Sequence, residues 1–79
     1  MEIKILGTGC SNCKTLFANV QQAAAELKLN ATITKEENMI KIMAYNVMQL
    51  PALVIDEIVV AKGKLSFDEV KKLLQNYSI

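Results

Sequence analysis

Neither histidine nor arginine occurs in this chain of 79 residues, and proline appears once, at Pro51. Without histidine the usual general base of hydrolytic enzymes is missing, and without arginine so is the bidentate clamp for phosphate. Hydrolytic chemistry is therefore disfavoured from the outset. Charge of one sign is also scarce: nine lysines are scattered against eight acids for a net +1. No basic stripe forms, so nucleic acid is not an expected partner, and Lys71-Lys72 reads as a solvated helix face. Long apolar runs are absent too. The longest, Ile58-Val59-Val60-Ala61 with its neighbour Ala52-Leu53-Val54-Ile55, falls far short of the roughly 20 residues a membrane-spanning helix needs, so no membrane is expected. The chain opens on a strand-like pattern after Met1-Glu2 in place of a basic segment and apolar run, which makes the cytoplasm the expected location. An apolar fraction of 52% with both charges interspersed suits one small globular domain over residues 1–79.

What remains are two cysteines, Cys10 and Cys13, in Gly7-Thr8-Gly9-Cys10-Ser11-Asn12-Cys13. A loop this short constrains the unfolded chain little, so the pair is poorly suited to a structural bridge. In a reducing compartment a lone CxxC reads as catalytic or metal-binding. Leu16, Phe17, Val20, Ala23, Ala24 and Leu27 recur at helical spacing, and Cys13 extends that stripe by a turn. Cys10 falls at the start of the helix, where unpaired N–H groups and the positive end of the dipole favour a thiolate. The expected division is an exposed nucleophile of low pKa at Cys10 and a shielded resolving thiol at Cys13.

The remaining pattern is strand, helix, strand, helix, strand, strand, helix. Glu2–Leu6 alternates as a first strand, a helix runs from Ser11 to Leu29 with Asn30 as a left-handed cap, and Ala31–Lys35 alternates again. Asn38 caps a short second helix whose apolar side is Met39, Ile40, Met43 and Val47, ended by Asn46. Pro51 opens the continuous apolar strand Ala52–Ile55, expected to be central and covered on both faces. Asp56-Glu57 turns into a hairpin strand, Ile58–Ala61. Ser66-Phe67-Asp68-Glu69 is a capping box for a last helix burying Phe67, Val70, Leu73, Leu74 and Tyr77. Right-handed crossovers predict that the first three strands are parallel and the hairpin strand lies at an edge, in a four-stranded mixed sheet with helices on both faces.

Taken together, Lys4-Ile5-Leu6-Gly7-Thr8-Gly9-Cys10-Ser11-Asn12-Cys13, Tyr45-Asn46-Val47, Leu50-Pro51-Ala52-Leu53-Val54-Ile55-Asp56 and Gly63-Lys64 resemble the small thioredoxin-like redox-active disulfide proteins of archaea and bacteria. The resemblance covers nearly the whole chain and implies the α/β thioredoxin-like fold. It implies that Cys10 attacks a substrate disulfide, that Cys13 resolves the mixed disulfide, and that Pro51 is a cis-proline beside the sulfurs. Leu50 would then offer its backbone to an extended substrate segment. The implied activity is protein disulfide oxidoreduction with no organic cofactor, acting on a disulfide-containing protein and recharged by an unidentified reductase. Three positions depart from the family pattern. Asn46 replaces a glycine, and Glu57 replaces the hairpin glycine, which predicts a turn other than a two-residue type I′. Lys4 stands where larger thioredoxins carry a buried acid six residues before the first cysteine.

Other readings stay open. The same CxxC could bind a soft metal, copper or zinc, as in copper-chaperone domains, although Thr8 replaces their usual methionine and nothing in that fold calls for Pro51. The thiols could also serve a non-catalytic module that senses oxidants. Met39, Met43 and Met48 resemble a soft-metal set but at helical spacing read as core filling, with Met48 at the rim of a groove. Tyr45 and Tyr77 read as packing at helix ends. Glutathione use is disfavoured by Ala61-Lys62-Gly63, where glutaredoxins carry paired glycines.

Overall fold

The computed structural model describes residues 1–9, 11–63 and 65–77. Seven elements follow in the expected order: β1 (Glu2–Leu6), α1 (Ser11–Glu26), β2 (Thr32–Glu36), α2 (Met39–Met43), β3 (Ala52–Ile55), β4 (Ile58–Lys62) and α3 (Phe67–Tyr77). The strands form one mixed sheet in the order β2-β1-β3-β4, with the hairpin strand at an edge. Alternation along β1 divides the core. Ile3 and Ile5 join Leu53 and Ile55 beneath α1 and α3, while Leu6, Ala52 and Val54 pack against Ile42 and Val47 on the other face. All four residues of β3 are buried, which explains its unbroken apolar run.

β3 does not run parallel to its neighbours as expected. β1 pairs parallel with β2 but antiparallel with β3. The physical reason is the length of α2. Glu36 at the end of β2 and Ala52 at the start of β3 both pair with Leu6, so the chain leaves and re-enters the sheet at the same end of the strands. A helix of five residues advances only about 7–8 Å, against roughly 17 Å for a five-residue strand, so the helix by itself does not carry the chain to the opposite end of the strands. α2 stays near the end where β2 finishes, and β3 runs back from it.

The first helix also ends earlier than its apolar stripe suggests. The Leu29 N–H donates to the Ala24 carbonyl at 3.0 Å and the Lys28 N–H to the Ala25 carbonyl at 3.2 Å, with Lys28 left-handed at φ 56°. This is a Schellman closure centred on Lys28, not on Asn30, and Leu29 folds back onto the cluster that contains Ala24. Asn38 caps α2 as expected, its Oδ1 accepting from the Ile40 N–H at 2.9 Å. Ser66 and Glu69 form the reciprocal capping box at α3, whose buried residues are Val70 and Leu74 while Tyr77 is exposed.

At the β3–β4 turn the expectation fails. Ile55 pairs with Ile58 across two residues, and both of them have positive φ, 49° at Asp56 and 70° at Glu57. That is the type I′ signature. Asp56 is held from both sides by Glu2, donating its N–H to the Glu2 carbonyl at 2.8 Å and accepting the Glu2 N–H on Oδ1 at 2.8 Å. Glu57 is held through its side chain, described below. Asn46 likewise tolerates φ 59°, as an asparagine can.

Met39, Met43 and Met48 are not core filling. Met39, Ile40, Met43 and Met48 are exposed, Met48 at 99% of its surface, and the buried residue of α2 is Ile42. With little more than one helical turn lying on this face of the sheet, one position, Ile42, points inward.

Candidate active site

The site forms where β1 ends, α1 begins and β3 starts. Gly7 follows β1 and is buried. A Cβ built on it would collide with Cys13 Sγ, approach Cys13 Cβ to 3.2 Å and lie 4.0 Å from Pro51 Cβ. Gly7 is therefore glycine for lack of room: the sulfur of Cys13 occupies the space a side chain would need, with Pro51 in ordinary contact beyond it. Cys13 is 6% exposed, on the buried stripe of α1 with Leu16 and Val20, and is disulfide-bonded. Pro51 is fully buried and its peptide bond with Leu50 is cis. Cys10 and Lys64 lie outside the described residues.

Two hydrogen bonds extend the sheet toward this point. The Gly7 N–H donates to the Glu36 carbonyl at 3.0 Å, tying the end of β2 to the residue that touches Cys13. The Gly63 N–H donates to the Pro51 carbonyl at 2.6 Å, with Gly63 buried at φ 80°. Leu50 is half-buried against the Leu6–Ile42 cluster. Among the described residues no hydrogen bond engages its backbone.

Beside Cys13 lies a cleft of about 60 Å³ lined by Ile5, Gly7, Gly9, Cys13, Lys14, Lys35 and Glu37. Lys35 stands over the Phe17 ring, its Nζ 4.5 Å from the centroid. Sequence reading missed Gly7 as a packing residue, and it missed Lys35 and Glu37 altogether. Nothing local marks them: their relevance comes from β2 lying parallel to β1, which sets residues 35 and 37 level with the end of β1.

Lys4 is on the opposite face. Its Nζ donates to Glu57 Oε1 at 3.0 Å and to Tyr45 Oη at 3.2 Å, and Tyr45 Oη donates to Glu57 Oε2 at 2.9 Å. This closed triangle ties β1, the hairpin turn and the end of α2 together, and it holds Glu57 in its left-handed conformation. Lys4 is thus engaged away from the cysteine cleft. The hydrogen bond from Lys4, then that from Tyr45, hold the Glu57 carboxyl below its ordinary 4.5. Its stabilising contribution is therefore complete above that value and is lost as pH falls through the lowered one. The same bonds, to Glu57 first and Tyr45 second, raise the Lys4 ammonium, whose contribution is complete below 10.5 and fades only in strong alkali. Glu57→Gln should flatten the acid limb of a stability-against-pH curve below about pH 4.5 relative to the parent. Parallel curves for the two proteins would show the triangle to be energetically silent. Because the pair is largely exposed, the effect is small.

The thioredoxin-domain family model matches residues 1–75. The chain belongs to the thioredoxin-domain family. It is 37% identical over 75 residues to a thioredoxin of Methanothermobacter thermautotrophicus, covering 94% of this chain and 97% of that one. A thioredoxin of Methanocaldococcus jannaschii is 36% identical over 76 residues, covering 95% and 87% respectively. The structure of thioredoxin 1 from Thermosipho africanus superposes with a TM-score of 0.67 over 98% of this chain and 93% of that one, at 22% identity, a likeness of fold. Thioredoxins are disulfide oxidoreductases that act on proteins, and family membership places this chain in that enzyme class. Among the described residues, no helix is long and apolar enough to cross a membrane.

Proposed function

We propose that the chain reduces or exchanges protein disulfides through Cys10 and Cys13, acting in the cytoplasm as a single domain and needing neither metal nor organic cofactor. The observation that supports this most is the meeting of Gly7, Cys13 and Pro51 in one buried contact, beside a Leu50 backbone that no hydrogen bond engages among the described residues. In the first step the Cys10 thiolate attacks one sulfur of a substrate disulfide. A Cys10–substrate disulfide forms and the other substrate sulfur leaves as a thiolate. In the second step Cys13 loses its proton and attacks the Cys10 sulfur. The intramolecular disulfide closes, and the second substrate sulfur leaves. The substrate gains two electrons and the enzyme gives them up, to be restored by a reductase. Leu50 and Pro51 form the proposed substrate contact: an extended segment of the target pairs with the Leu50 backbone, as an added strand would.

The asymmetry of the two sulfurs is testable in the reduced protein. Brief alkylation followed by mass spectrometry should label Cys10 at least about ten times faster than Cys13 near neutral pH, since the thiolate at a helix start reacts and the buried thiol does not. Equal rates would remove the assignment of roles.

A further inference from the structure

Resting on the dithiol reading above, we propose that Glu37 is the proton acceptor for Cys13, acting through water in the cleft between them, and that Lys14 and Lys35 set the field in which the proton moves. The need comes from chemistry. A buried thiol attacks as a thiolate, so its proton must go somewhere during the second step. The chain has no histidine. Lys4 is held in its triangle with Tyr45 and Glu57 on the other face of the sheet. Among the described residues lining the Cys13 cleft, the titratable side chains are Lys14 from α1, Lys35 from β2 and Glu37 just beyond β2. Glu37 is the carboxylate of that set.

Its position is fixed by the backbone. The Glu36 carbonyl accepts the Gly7 N–H at 3.0 Å, and Gly7 is the residue on which a Cβ would collide with Cys13 Sγ. Glu37 is therefore one residue from a group pinned beside the sulfur. Alternation sends its predecessor the other way: Glu36 lines the groove with Lys4, Lys41 and Tyr45 on the far face. A cleft of about 60 Å³ has room for water, which occupies polar sites upward of about 10–15 Å³. The proton passes from Cys13 Sγ to that water as the water gives one to Glu37, while the S–S bond to Cys10 forms and the substrate thiolate departs. Glu37 then returns its proton to solvent. The two ammonium groups favour the developing thiolate by charge, and Lys35 is held in place over Phe17.

The test separates the two steps by releasing a chromophoric thiol. Reduced protein mixed with 5,5′-dithiobis(2-nitrobenzoate) should release one thionitrobenzoate as Cys10 attacks and a second as Cys13 closes the ring. Glu37→Gln should leave the first release unchanged and slow the second by about a hundredfold at pH 7, the lower range for general-base catalysis. The deficit should vanish above about pH 9, where a thiol ionises unaided. Glu37→Asp should recover most of the rate, and Glu36→Gln should match the parent. An unchanged second release in Glu37→Gln would overturn the role of Glu37, as would a loss that persists at high pH. Absence of any two-step release in the parent would instead overturn the dithiol reading on which it rests.

Discussion

Cys10→Ser is expected to lower protein-disulfide reduction by more than about a thousandfold, while Cys13→Ser leaves the first attack intact and accumulates stable mixed disulfides with target proteins. The two losses differ in kind. Removing the attacking sulfur removes the only entry into the reaction. Removing the resolving sulfur leaves an intermediate that has no intramolecular exit. Non-reducing mass spectrometry of each variant, incubated with a disulfide-containing protein, should show adducts on Cys13→Ser and few on Cys10→Ser. Comparable adduct yields from both would mean that either sulfur can lead, contradicting the burial of Cys13 on the stripe of α1.

Gly7→Ala should be the most damaging single methyl in the protein. The new Cβ would overlap Cys13 Sγ and crowd Cys13 Cβ, with Pro51 behind them. Cys13 cannot yield easily, because it is fixed by the helix. Overpacking of this kind costs about 2–3 kcal/mol. In a domain of this size that lowers the melting temperature by roughly 10–20 °C. Moving the sulfur should also slow closure of the disulfide. Adding Cys13→Ala removes the colliding atom, so the same Gly7 substitution should then cost less than about half as much. A similar loss in both backgrounds would show that the damage comes from the backbone and not from the sulfur.

Much of this was legible in the sequence because it depends on local pattern. The alternation of Ile3 and Ile5, the continuous run Ala52–Ile55 and the Ser66–Glu69 box each declare an element through neighbours a few residues away. The direction of β3 was not, since it depends on whether fifteen residues between Glu36 and Ala52 can recross the sheet. The brevity of α2, which local pattern does not fix, bears on that. Exposure of Met39, Ile40 and Met43 follows from the same shortness, because little more than one helical turn cannot bury a full stripe. Glu57 misled for a different reason. A glutamate at positive φ is locally unfavourable, and the bonds that hold it come from Lys4 and Tyr45, far away in sequence. At the site, the burial of Cys13 on the α1 stripe and the place of Pro51 before β3 were readable, but the role of Gly7 was hidden: a glycine kept for space looks the same in sequence as one kept for a turn.

The central claim is that Cys10 and Cys13 form one reversible two-electron couple. A redox titration of anaerobically purified protein in dithiol–disulfide buffers, read by mass after quenching and accompanied by metal analysis, tests it directly. A single transition involving both cysteines together is expected, with a slope of about 30 mV per tenfold change in the ratio, in protein free of bound metal. Copper or zinc held stoichiometrically by the thiolates, with no reversible transition, would contradict it.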